Sequence, residues 1–457
     1  MNAAAEHSIV VLEQPGGPGP DGAISCVLGS ELRFDRGALE RCSSTPLEEI
    51  DVDLLVVLAS IAFADRRVSR RRGSRWGRAL ALSVPVYLPA EWERVASKLA
   101  SLLLDVSGDA WRLEFSRRTA ADELRQLFLP QLPREFRGAT VAPYSGGLDS
   151  FATVAHHRVQ NDGTPLLLVH ARHGARSLHS VLLDHDRSAS ALAVPFTVSG
   201  GPHAEASYRT RTLVFFSLAA LAWRRNNASR IWIGESGIGC LGPSFVPFGI
   251  EQPVCGCHPM FIKKLGTFFE HLWGVLPPFE LPHLWVTKGE VLAELRSREA
   301  LEGWQRTHSC SRNIRRQHPM ASASHCGLCS GCMFRRQSLR AAGLAEGAGT
   351  YYCDVLADAD LPADAQPADR EVGTYAAVNL DELARVAAKL SNYRGHMLET
   401  ARSVGRPSAE VETKLGRLFA RHAEEWSAFV NAVPAGSWLR QVVTSEQGPG
   451  EPWIQQS

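Results

Sequence analysis

Lysine is scarce in this chain of 457 residues: six stand beside forty-three arginines, within a Lys+Arg total of 49. Charge of one sign is lacking too. Against Asp+Glu 48 the net charge is +1, so no global field recruits nucleic acid or a membrane surface. Long apolar runs are absent: the longest, near Thr212 to Trp223, is too short to span a bilayer. The stretch Met1 to Pro20 has neither a basic start nor an apolar h-region, so no secretory signal is read and the expected compartment is the cytoplasm. There, ten cysteines point to metal ligands or isolated buried thiols and away from a disulfide framework. No internal repeat is visible, and the length predicts one large core or two to three domains.

What is present centres on Ser145-Gly146-Gly147-Leu148-Asp149-Ser150. The apolar run Ala139 to Tyr144 before it reads as a buried strand, and the amphipathic stretch Phe151 to Gln160 after it as a helix. Two glycines let the backbone turn tightly and approach a ligand, and Asp149 or Ser150 can cap the helix. A glycine turn opening a helix offers free N–H groups and the positive dipole end to an anion. The loop is a phosphate cradle by this logic. No Gly-Lys-Ser/Thr ends it, so it is not a Walker A loop, and its glycines lack the dinucleotide-binding spacing.

The N-terminal part, 1–130, reads as an α+β domain. Residues 8–13 and 24–34, Ala79 to Leu88 and Trp111 to Phe115 look like strands; Leu54 to Phe63 and Trp92 to Leu104 look like helices. Arg66, Arg67, Arg70, Arg71, Arg72, Arg75 and Arg78 crowd one connection, which is either solvated or a contact for phosphates or an acidic partner. From residue 138 strands and helices alternate. Strands are expected at Leu166 to Val169, Ala193 to Val198, Ile231 to Gly234 and Leu284 to Val286. Helices are expected at Arg176 to Leu183, Arg209 to Arg225, His258 to Trp273 and around Val291 to Leu295. Such alternation implies an α/β domain with a parallel sheet flanked by helices, which binds ligands at the carboxyl ends of strands. A Pro- and Asp-rich linker at 354–372 leads to a helical C-terminal region, 373–440, with periodicity over Asp381 to Leu398 and Val411 to Val430. Residues 446–457 read as a disordered tail.

Cys326, Cys329 and Cys332 form a C-x-x-C-x-x-C run, and Cys310 precedes it. Four thiolates close a tetrahedral zinc site. An iron–sulfur cluster is the competing reading, since bacterial ferredoxins also use this run. Their fourth cysteine follows after three intervening residues, and Arg335 and Arg336 sit at that place here. His308, His318 and His325 are near enough in sequence to replace one ligand. Cys255 and Cys257 form a C-x-C pair read as structural, and Cys26, Cys42, Cys240 and Cys353 as isolated thiols.

The Ser-Gly-Gly-x-Asp-Ser pattern looks like the PP-loop of the ATP pyrophosphatases. Together with the cysteine run some 160 residues on, it resembles the 7-cyano-7-deazaguanine synthase (QueC) family. Weaker pieces follow in order: His170 to Arg176, Tyr208 to Leu213, Thr287-Lys288-Gly289-Glu290, and His325-Cys326-Gly327 with Arg335 and Arg336. The match covers 138–345, with the knuckle at 310–332. Gly234-Glu235-Ser236-Gly237 replaces that family's Gly-x-Asn-x-x-Asp, and the family proper is about half this length. The added parts resemble the longer QueC-like proteins of bacterial anti-phage systems, notably Qat.

The resemblance implies a PP-loop (HUP-type) fold, bound ATP, Mg2+ and Zn2+, and an AMP-forming ligase. It would adenylate a 7-deazaguanine carboxylate (7-carboxy-7-deazaguanine) for capture by ammonia or by an amine of a partner protein from the same defence system. Ser145, Gly146, Gly147, Leu148, Asp149 and Ser150 would hold ATP, with Asp149 and Lys288 catalytic; Lys288, at an expected helix start after an expected strand, could stabilise phosphate or oxyanion charge. Glu235, at a strand end, could accept two hydrogen bonds from a guanine-like edge. Arg209 and Arg211 could clamp a carboxylate or phosphate. Cys310, Cys326, Cys329 and Cys332 are the metal set. The alternatives are a tRNA-base modifying PP-loop enzyme, which would use the Arg66–Arg78 connection with Arg312, Arg315 and Arg316 on phosphates, and a non-catalytic ATP-sensing subunit. Nucleic acid and membrane are otherwise not expected partners.

Overall fold

The computed structural model describes residues 6–15, 22–34, 47–70, 77–119, 136–160, 163–172, 189–198, 204–205, 208–246, 256–312 and 323–444. The expected helix at Arg176 to Leu183 and the tail at 446–457 lie outside them. The chain forms two compact units. The first comprises Met1–Ser145, Asn161–Gly234 and Pro247–Pro282; the second comprises Gly146–Gln160, Glu235–Val246 and His283–Ser457.

The first unit holds two sheets. Strands β1 (Glu6–Leu12), β2 (Ile24–Val27), β4 (Ala79–Val86) and β5 (Ala110–Arg117) form an all-parallel sheet in the order β2-β1-β4-β5. The expected strand at 24–34 is split by a tight turn in which Gly29 has φ +78, and its second half, β3 (Leu32–Phe34), joins the other sheet. That sheet adds β6 (Thr140–Pro143), β7 (Leu166–Arg172), β8 (Ala189–Val198), β9 (Arg230–Trp232) and β10 (Phe279–Glu280), in the order β10-β9-β6-β7-β8-β3. All pairs but β3·β8 are parallel. Counted from β6, the five parallel strands run 3-2-1-4-5, the doubly wound order, which puts the topological switch point between β6 and β9.

Helix α1 (Glu49–Arg67) is largely apolar from Leu54 to Ala64 and buried almost throughout, since it packs on β4 of one sheet and β3 of the other. Helix α2 (Pro89–Ser107) is amphipathic, with Trp92, Val95, Leu99, Leu102 and Val106 along its buried stripe, and ends at left-handed Gly108. Further along the chain, α4 (Arg211–Asn226) lies on β6 and β7, and α6 (Pro259–Trp273) packs on α2. One hydrophobic cluster runs from Ile9 through Leu58 and Val141 to Phe269.

The second unit is helical: α3 (Leu148–Gln160), α5 (Gly237–Phe245), α7 (Lys288–Ser297), α8 (Ser330–Ala341), α9 (Pro367–Arg385), α10 (Arg394–Val404), α11 (Ser408–Ala432) and α12 (Trp438–Thr444). Leu148, Phe151 and Ala155 of α3 meet Leu292 and Leu295 of α7, Trp304 and Leu339 in one core. Two expectations are corrected here. Leu284 to Val286 is a turn, not a strand: a three-residue apolar run cannot distinguish the two, and Val286 packs beside the α3–α7 core. The linker ends early, because Pro367 opens α9, with Gln366 and Asp369 forming a capping box.

Candidate functional site

The chain leaving β6 turns through Gly146, whose φ of +77 is open to glycine and costly to other residues. The Gly146 carbonyl accepts the His308 N–H at 2.9 Å, and the Gly147 carbonyl accepts that of Phe151 at 3.0 Å. Helix α3 then starts at buried Leu148. Asp149 sits inside its first turn, and its carboxylate turns to Lys288, with Nζ to Oδ2 at 2.7 Å.

Lys288 opens α7. Thr287 caps that helix, accepting the Glu290 N–H at 3.1 Å while Glu290 accepts that of Thr287 at 2.9 Å. The expected helix start is therefore present. The ammonium is buried and lies 4.4 Å from the centre of the Phe334 ring. Burial works against its charge, but Asp149 and Glu235 outweigh that and hold Lys288 above its usual range.

Glu235 precedes Ser236, the N-cap of α5. Its carboxylate is half-buried and folds over the helix start, accepting the Ser236 N–H at 3.2 Å. A Cβ on Gly239 would fall 2.1 Å from Glu235 Oε1, so the glycine makes the space for that carboxylate. Burial first, then the Asp149 charge, push the Glu235 pKa up to about 7 against the pull of Lys288. Asp149, Lys288 and Glu235 thus form one cluster of two carboxylates and an ammonium. Near neutral pH it exchanges a proton and can oppose phosphate, accept from N–H donors or hold a cation.

The glycine spacing Gly237-Ile238-Gly239-Cys240-Leu241-Gly242 matches a dinucleotide motif on paper. It lies inside α5, where a helix needs no glycine turn. A Cβ on Gly237 would meet Leu284 O at 2.4 Å, and one on Gly242 would meet Leu383 at 3.1 Å. These glycines serve close packing, not phosphate.

Ser145, at the edge of the first unit, is exposed, and Ser150 is half-buried in the first turn of α3. Arg209 and Arg211 also belong to the first unit. Arg209 donates to Ser107 O at 3.2 Å, and Arg211 begins α4 on an exposed position. Thr210 between them is fixed by Asp65 Oδ2, at 2.9 Å from its N–H and 3.0 Å from its hydroxyl.

Among the described residues of the arginine-rich connection, two arginines are not solvated. Arg70 and Arg78 are buried. Arg70 pairs with Asp109 at 2.7 Å, and Arg78 bridges Asp65 and Asp109 at 2.6 Å each. Their acidic partners are internal, which the sequence could not show because Asp65 and Asp109 look like ordinary helix-end residues. Arg66 and Arg67 end α1, while Arg71, Arg72 and Arg75 lie outside the described residues. Arg312 is taken by Asp369 at 2.5 Å; Arg315 and Arg316 are outside the described residues.

Cys310, Cys326, Cys329 and Cys332 bring their sulfurs within 4.8 Å of one another. Cys326 to Cys332 is 3.8 Å and Cys329 to Cys310 is 3.9 Å. Four thiolates about 2.3 Å from a tetrahedral ion stand about 3.8 Å apart, so the set fits a metal such as zinc and is consistent with a zinc knuckle. Backbone N–H groups of Cys326, Leu328 and Cys329 point at these sulfurs at 3.3–3.4 Å, favouring thiolates. Gly327 has φ +82, and a Cβ there would meet Cys353 O at 1.9 Å. His325 does not replace a ligand: its Nε2 accepts from Ser309 N–H at 3.3 Å and its Nδ1 meets the Ser324 hydroxyl at 2.8 Å. His318, Cys42 and Cys255 are outside the described residues, and Cys26, Cys240 and Cys353 are buried.

The knuckle and the charge cluster share helix α8. Cys332, Phe334 and Arg335 lie on it, and buried Arg335 donates to the Thr307 hydroxyl at 2.6 Å beside His308. Sequence reasoning missed Phe334 and Gly239, and named His308 only as a candidate metal ligand. Only the nearness of His308 and Phe334 to ligating cysteines gave any signal. Among the described residues, no helix is long and apolar enough to cross a membrane. No family model, curated protein or solved structure matches this chain.

Proposed function

We propose that this protein is an ATP-dependent, AMP-forming ligase that activates a 7-deazaguanine carboxylate for capture by an amine. One observation carries the reading. The glycine turn leaving the first strand of a 3-2-1-4-5 sheet opens a helix whose Asp149 is paired with a buried lysine, and Glu235 stands beside them. The Ser145–Ser150 segment, read as a PP-loop, would cradle the phosphates at the start of α3. Mg2+, which the resemblance implies, would screen phosphate charge.

The substrate carboxylate oxygen attacks the α-phosphorus, the α–β phosphoanhydride bond breaks, and pyrophosphate leaves. Lys288 neutralises charge on the departing phosphates. An amine then attacks the acyl carbon, loses a proton, and expels AMP with the carbon–oxygen electron pair, forming an amide. Ionised Glu235 accepts the paired ring and amino N–H donors of the guanine-like edge. The amine is ammonia, or an amine on a partner protein of a defence system.

The experiment is pyrophosphate release from ATP with 7-carboxy-7-deazaguanine, with and without ammonium, and intact-mass measurement of co-expressed partner proteins. Release that requires the base supports the reading. ATP binding without pyrophosphate release would leave a nucleotide sensor instead.

A further inference from the structure

Helix α11 grips the two segments that carry Lys288 and Glu235. Glu425 is buried, and its Oε1 accepts the Thr287 hydroxyl at 2.6 Å, at the cap immediately before Lys288. The next residue, Gly289, is seated against the same carboxylate: a Cβ there would lie 2.6 Å from Glu425 Oε1 and 2.8 Å from Ala341. Arg417 donates to Trp285 O at 3.2 Å and forms an ion pair with Glu290, the other half of the Thr287 capping box. Lys414 stands 5.2 Å over the Trp285 ring. Leu418 closes on Gly237, where a Cβ would meet it at 2.8 Å, and Gly237 N–H is bonded to Val286 O at 2.9 Å.

We infer that Glu425 is a positioning residue for Lys288, and that the C-terminal helical region is part of the reacting centre, not an appendage to it. Burying a carboxyl beside one hydroxyl is costly unless the site needs its geometry. Arg421 approaches only to 3.4 Å, and the second Glu425 oxygen meets no donor among the described residues. What this arrangement fixes is the start of α7, and with it the direction in which Lys288 leaves the helix. The inference rests on the reading of Lys288 as the phosphate-facing cation.

The test uses the full chain with Glu425→Ala, Glu425→Gln and Arg417→Ala. The first readout is acetylation of Lys288 against pH, resolved by peptide mass spectrometry and referenced to the other lysines. Held by Asp149, Lys288 reacts slowly; released, its free-amine fraction near pH 8 rises about tenfold for each unit its pKa falls. Glu425→Ala is expected to speed Lys288 labelling about tenfold, and Arg417→Ala about threefold. Glu425→Gln, whose amide oxygen still accepts from Thr287, should stay within about twofold of the parent. In pyrophosphate release, Glu425→Ala should lower kcat about tenfold or more and change KM for ATP little. Unchanged Lys288 labelling in a folded Glu425→Ala or Arg417→Ala chain overturns the inference. Should Glu425→Ala not fold, Arg417→Ala on its exposed side chain decides. A parent protein that releases no pyrophosphate overturns the ligase reading alone, since the labelling still reports whether Glu425 positions Lys288.

Discussion

Lys288 Nζ and Asp149 Oδ2 lie 2.7 Å apart, which joins the helix after the glycine turn to the helix capped by Thr287. Neither charge is fully solvated, and Glu235 stands near enough to compete for the same ammonium. Removing Asp149 therefore leaves Lys288 a second carboxylate. Asp149→Asn is expected to abolish ATP-dependent pyrophosphate release, about a hundredfold or more, with a stability loss of only about 1–2 kcal/mol. Steady-state kinetics and denaturant melts of the same sample check it. Wild-type turnover would remove Asp149 from the machinery.

Gly239 gives a sharper probe of Glu235 than truncating the acid. The three atoms nearest the place of the missing Cβ all belong to the Glu235 side chain. Gly239→Ala should keep the fold and push the carboxylate aside. It should weaken 7-carboxy-7-deazaguanine about tenfold, or about 1.4 kcal/mol, and leave ATP binding within about twofold. Calorimetry on both ligands decides; equal weakening of both would indicate general damage.

The pKa of about 7 at Glu235 carries two pH signatures. Its folded value exceeds the unfolded one, so the folded state binds more protons in between. Stability contributed by this group is full below pH 4.5 and falls as pH rises through 7. The melting temperature of Glu235→Gln relative to the parent should therefore rise from pH 5 to pH 8. Base binding, which needs the carboxylate charged, should strengthen over about pH 6 to 8 in the parent and stay flat in Glu235→Gln. A parent and variant with parallel profiles would refute the shift.

The four cysteines should hold about one zinc per chain. Elemental analysis should find zinc, and a brown iron-containing protein would overturn it in favour of a cluster. Gly327→Ala forces a Cβ to 1.9 Å from Cys353 O at a positive φ. It should cost about 3 kcal/mol or more and lower metal content together with stability.

Arg78→Ala removes the bridge between Asp65 and Asp109 and leaves both buried carboxylates to share Arg70 alone. A loss of about 3–5 kcal/mol is expected, seen as a lower denaturation midpoint. Salt-dependent tRNA binding that Arg78→Ala abolishes in a folded, equally stable protein would contradict this internal role.

The sequence by itself determined the local parts. The Ala139–Tyr144 strand, the glycine turn and the following helix were legible because apolar runs and glycine positions act over a few residues. The spacing of Cys326, Cys329 and Cys332 announced a metal set for the same reason. Only the tertiary structure decided the partners. Asp149 met Lys288, Arg78 met Asp65 and Asp109, and Glu425 met Thr287 through contacts between distant stretches. A single chain does not encode such pairings as a pattern, because a charge carries no mark of the opposite charge it will meet. For the same reason β3 left its neighbour for β8, and Leu284 to Val286 became a turn. Apolar side chains fix that a segment is buried, and packing against the rest of the fold fixes where.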